Sequence, residues 1–147
     1  MKITLEFLKE KSACSEGVAW FKAQKETNSI KVLRALMKDD KWNYANWLIV
    51  RVMTYKQYVS YAVFAAEQVI EIYEKRNPED DRPRKAIEAA KKCISNPSKE
   101  NTAAAATAAY AASYAADASY AATAVAARNK MRMKIIKYGI KLLGGSK

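Results

Sequence analysis

The run AAAATAAYAASYAADASYAATAVAA, residues 103–127, holds sixteen alanines in 25 positions, and its one charged residue is Asp117. Alanine has the highest intrinsic helix propensity and suits a strand poorly, so this stretch is helical before any packing is considered. The rest of the chain agrees. Four glycines and three prolines occur in 147 residues, and three of the glycines fall in the last nine. So few turn-formers suit long helices better than many short strands. The expected fold is all-α, a single domain over 1–147 built as a helical bundle of about six or seven helices. It should contain a long Ala/Tyr-rich helix and, over 128–147, a basic amphipathic C-terminal helix.

Helical spacing and start signals divide the chain further. Ile3, Leu5 and Leu8 mark a first amphipathic segment. Ser15 is placed to cap a second helix with Val18, Trp20 and Phe21, and Ser29 a third with Ile30, Leu33, Leu36 and Met37. After the polar break Lys38-Asp39-Asp40-Lys41, a short apolar helix starts near Asn43 and runs through Trp47, Leu48, Ile49, Val50 and Met53. Thr54 followed by Gln57 reads as a capping box. The helix it opens, 54–76, should be the most buried, with Tyr55, Tyr58, Val59, Ala62, Ala66, Val69, Ile70 and Tyr73 on one wide stripe that Tyr61, Val63 and Phe64 broaden. Asn77-Pro78 ends it. Pro83 then fits the first turn of a new helix, with Asp80 and Asp81 at its positive end and Ala86, Ile87, Ala90, Cys93 and Ile94 facing inward. Asn96 or Ser98 caps the alanine helix, and Trp20, Trp42 and Trp47 are expected around that helix and 54–76.

Composition removes several chemistries. There is no histidine, which excludes His-based triads, most zinc sites and the commonest general base. No glycine-rich phosphate loop is present. Cys14 and Cys93 make no metal or redox spacing, and both are expected as buried free thiols in a reducing compartment. The reading is a non-enzymatic protein with no cofactor and no metal. The start MKITLEFLKEK lacks a signal peptide's apolar core, and the alanine run is too weakly apolar to span a bilayer well. A cytoplasmic location follows as the expectation, with a membrane not expected as partner.

The alanine helix has two unlike sides. Positions 105, 108, 112, 115, 119, 122 and 126 are all Ala except Ser119, a smooth row for close backbone approach. Tyr110, Tyr114 and Asp117, with Tyr120 nearby, form the other side. The smooth row serves close packing in the core or assembly of a homo-oligomer. The tyrosines serve packing or a partner-binding face, since tyrosine is enriched in interface hot spots.

The charge is concentrated at the end. The last twenty residues carry seven Lys or Arg and no acid, whereas the first 127 carry 19 basic and 15 acidic residues. Lys130, Lys134, Lys137 and Lys141 form one stripe, joined by Arg128 and Arg132, and Met131, Ile135, Tyr138 and Leu142 form an apolar stripe beside it. Such a stripe can solvate a docked helix, meet an acidic protein surface, bind nucleic-acid phosphates or touch a membrane surface. Gly144 is placed to end the helix. Unbroken helix from 98 to 143 would be about 68 Å long, against a radius of gyration of about 15 Å for a domain of this size. A kink or break is therefore expected near Arg128-Asn129.

The stretches SYAVFAAEQVIEIYEK, NPEDDRPRKAIEAA and YAASYAADASYAA, with the N-terminal SACSEGVAWF, carry a resemblance. The chain resembles, over residues 12 to 135, the alanine-rich, all-helical immunity proteins of bacterial toxin systems and related phage proteins. Asp81-Arg82-Pro83-Arg84 is its most specific element. The resemblance implies a small intracellular protein that binds and neutralises a protein target, in a bacterium or as a phage inhibitor of host defence. The basic C-terminus departs from inhibitors that use acidic surfaces, which points to an acidic target. Arg82 and Arg84 are candidate contacts for a carboxylate or another anion. The alternative functions are a basic nucleic-acid-binding accessory protein and a structural homo-oligomer.

Overall fold

The computed structural model describes residues 1–96 and 125–144. Among them the regular elements are all α-helices, as the scarcity of turn-formers predicts. The one extended pairing among the described residues is an isolated antiparallel bridge between Lys2 and Asn28. The described parts of Met1–Met53 with Gly139–Lys147 form one compact unit, and those of Thr54–Tyr138 form another.

In the first unit lie α1 (Leu5–Glu10), α2 (Ser15–Gln24), α3 (Ser29–Lys38) and α4 (Trp42–Arg51). Two caps sit one residue earlier than Ser15 and Ser29 suggest. Cys14 caps α2, its Sγ accepting from the Gly17 N–H at 3.4 Å. Asn28 caps α3 by accepting from the Ile30 and Lys31 amides at 3.1 and 3.2 Å, a two-donor arrangement that a serine hydroxyl would not match as readily. Ser29 is buried as the first residue of that helix. The α4 helix starts at Trp42, ahead of Asn43, with no side-chain cap. It packs against α3, and Val32, Leu33, Leu36, Trp42, Leu48 and Ile49 are among their buried residues. All three tryptophans belong to this unit.

The second unit contains α5 (Tyr55–Glu67), α6 (Ile70–Arg76), α7 (Arg82–Ser95) and, through Tyr138, α8 (Val125–Leu142). The capping box is present. The Thr54 hydroxyl accepts from the Gln57 amide, and the Gln57 side chain accepts from the Thr54 amide at 2.9 Å. The single helix expected over 54–76 is broken at Gln68–Val69. There the side-chain amide of Gln68 donates to the Phe64 carbonyl at 3.1 Å, the acceptor its backbone N–H would use in a continuing helix. The Gln68 and Val69 amides turn instead to Ala65 and Ala66, three residues back.

The core of this unit joins Val59, Val63 and Ala66 of α5 and Ile70 of α6 to Ile87, Ala90 and Cys93 of α7. Of the apolar surface expected on 54–76, Val59, Tyr61, Val63, Ala66, Val69 and Ile70 are buried, whereas Tyr55 and Tyr58, in the first turn of α5, are exposed. Pro83 stands in the first turn of α7. The α8 helix runs through Arg128-Asn129 without the break expected there. Gly144, just past its end, adopts φ +84, the left-handed conformation that glycine takes at little cost. The alanine helix, apart from its last residues, lies outside the described residues.

Candidate functional site

The α8 helix sorts its side chains by direction. Ile135, Ile136 and Ile140 are buried, at 6%, 2% and 6% exposure, with Gly139 buried between them. This inward row differs from the expected Met131–Ile135–Tyr138–Leu142 stripe, whose other three members are only half-buried. Two faces of the basic set separate accordingly. Arg128 and Arg132 fall four apart in register with Ile135 and Gly139, are half-buried, and are each engaged in interactions of their own. Lys130, Lys134, Lys137 and Lys141 are exposed.

On the exposed side, Lys130, Met133, Lys134 and Lys137 follow i, i+3, i+4, i+7 and share one helix face. Met133 is 39% exposed in the middle of three lysines. Reading the lysines alone missed it, although the same three-four count includes position 133. The face is anchored from behind. Tyr138 stacks on Phe64 of α5 with ring centroids 4.0 Å apart, and Lys134 Nζ lies 5.9 Å from the Phe64 ring centre. The ammonium thus stands within cation–π reach of an aromatic ring.

Four of the five cations of α7 are arranged in the opposite way. Arg82 makes a forked pair with Asp80 at 2.7 and 2.8 Å, and Arg84 does the same with Glu74. Lys85 pairs with Asp81, and Lys91 with Glu67. Asp80 also accepts from the Tyr73 hydroxyl at 2.6 Å. The Arg82 guanidinium first, and this hydroxyl second, hold the Asp80 carboxyl well below the usual carboxylate range. Arg84 likewise lowers Glu74. Donation to Asp80 raises the Tyr73 phenol. Arg82 and Arg84 therefore meet carboxylates of this same chain. By contrast, no carboxylate among the described residues pairs with Lys130, Lys134, Lys137 or Lys141.

Tyr110, Tyr114, Asp117 and Tyr120 lie outside the described residues. The two cysteines differ. Cys93 is buried against α5 with the Tyr55 hydroxyl 3.4 Å from its sulfur, but Cys14 is exposed, because a cap residue stands outside the packed face of its helix. Among the described residues, no group of three or more acidic or thiol side chains is placed to hold a metal ion, and no helix is long and apolar enough to cross a membrane.

Comparison with curated proteins and with solved structures finds no match. A family model does match, from residue 32 inside α3 to residue 133 inside α8, and on that match the chain belongs to a family of unknown function, DUF6931.

Proposed function

We propose that this chain is a non-enzymatic, cytoplasmic protein-binding module that inhibits or sequesters an acidic protein target through the exposed face of α8. The observation that carries this reading is the Lys130–Met133–Lys134–Lys137 face, whose three charges have no carboxylate partner among the described residues. On α7, by contrast, Arg82, Arg84, Lys85 and Lys91 are each paired with a carboxylate of this chain. Three desolvatable ammonium groups around a soft apolar side chain suit an acidic protein surface with a hydrophobic centre. Lysines are point charges without the planar fork that reads bases or grips phosphate bidentately, and Met133 adds nothing to phosphate binding. The resemblance to immunity proteins and phage inhibitors supports the same class of action.

The test is affinity capture from bacterial lysate, with and without nuclease. Wild type is compared with a variant carrying Lys130→Glu, Lys134→Glu and Lys137→Glu. A single protein retained in stoichiometric amount after nuclease, and lost by the variant, is the expected result. A catch that disappears with nuclease and weakens steeply with salt would assign the face to nucleic-acid phosphates instead.

A further inference from the structure

The first unit holds an open-mouthed cavity of about 270 Å³ that the α8 reading does not use. Its floor is apolar and buried, made by Ile3, Leu8, Phe21, Val32, Leu36 and Leu48. The sequence builds its walls from single helix faces: Gly17, Trp20 and Phe21 on α2, and Tyr44, Trp47 and Leu48 on α4, each at i, i+3, i+4. Two small residues, Ala13 and Gly17, keep it open. A Cβ added at Gly17 would already stand 3.3 Å from Cys14 Sγ.

The aromatic walls are fixed from outside. Trp20 donates its indole N–H to Asp39 at 2.9 Å, and Tyr44 donates its hydroxyl to Glu16 at 3.1 Å. Their polar atoms are satisfied, so the rings offer apolar surface. The rim is different in kind. Of the lining residues, Ser12, Cys14 and Asn43 are the exposed ones, and all three are uncharged hydrogen-bonding groups. Ser12 stands at φ 56, the left-handed turn that ends α1, where its amide and that of Ala13 donate to the Lys9 and Leu8 carbonyls at 3.0 and 2.8 Å.

From this arrangement we infer that the cavity binds a small amphiphile, with an alkyl tail of about ten carbons on the buried floor and an uncharged polar head at the Ser12–Cys14–Asn43 rim. The tail length follows from volume, since a void of about 150 Å³ accommodates benzene, or about 25 Å³ per carbon. The inference stands independently of α8.

Straight-chain 1-alkanols from butanol to dodecanol are suitable probes, because they carry no charge to attract a basic protein. Binding is read from tryptophan fluorescence, as Trp20 and Trp47 line the cavity. Affinity should rise about fourfold per added methylene and level off near decanol, where the tail fills the space. Ala13→Phe, which fills the cavity, should weaken decanol binding at least tenfold while Lys134→Glu leaves it unchanged. The plateau in the wild-type series decides the matter by itself if Ala13→Phe does not fold. No saturable signal up to the solubility limit of decanol, or affinity that climbs through dodecanol without levelling, would overturn the inference. Equal binding by a folded Ala13→Phe would do so too.

Discussion

Ile136 and Lys137 are neighbours on α8 that point to opposite surroundings, and their substitutions should have opposite effects. Ile136 is 2% exposed, whereas Lys137 is exposed and has no carboxylate partner among the described residues. Ile136→Ala removes three carbon groups, about 2.4 kcal/mol of burial at ~0.8 kcal/mol each. The void left behind adds to this and brings the expected loss to about 3 kcal/mol. With an unfolding entropy of ~2.1 cal/mol/K per residue, a chain of this length melts with about 0.3 kcal/mol/K, so Tm should fall by about 10 °C. Lys137→Glu touches nothing that holds the fold and should move Tm by less than about 2 °C. Far-UV circular dichroism on heating reads both. A fall of under about 3 °C for Ile136→Ala would mean that the isoleucine face does not dock α8. A large fall for Lys137→Glu would mean that the lysine face is structural.

Other outcomes follow from the same structure. Native protein treated with iodoacetamide should be alkylated at Cys14 alone, with Cys93 reacting only after denaturation; a native label on Cys93 would contradict its burial. Asp80 and Glu74 are more acidic folded than unfolded, so their stabilisation is complete above about pH 4 and is lost as pH falls below it. The decline of Tm between pH 5 and 2 should therefore be shallower in Asp80→Asn than in wild type, and identical slopes would count against the Arg82–Asp80–Tyr73 cluster. Thr54→Ala removes one side of the capping box and should cost about 1 kcal/mol, a drop of about 3 °C. No change there would show that α5 is held by packing alone.

What could be read from the sequence was what neighbours in the chain decide. The Thr54–Gln57 box, Pro83 in a first turn, the Ile87–Ala90–Cys93 face and Gly144 as a stop all depend on residues within four positions of each other. The break at Gln68–Val69 was not legible, because it turns on whether one side-chain amide takes the Phe64 carbonyl from its own backbone. The caps at Cys14 and Asn28 were each displaced by one residue, where several polar side chains compete for the same amides. Which residues of the wide α5 stripe are buried depends on the partner helix, which periodicity alone does not name. On α8 the basic stripe was legible as a pattern. Its division into engaged arginines and outward lysines required knowing where the isoleucines dock.

The role of α8 as a protein-docking face can be tested directly with a photo-crosslinker. p-Benzoylphenylalanine placed at Met133, among the outward lysines, is compared in cells with the same group at Glu88, exposed on α7. One discrete protein adduct is expected from position 133 and none from 88. Equal adducts from both positions, or nucleic acid as the sole species captured at 133, would contradict that role.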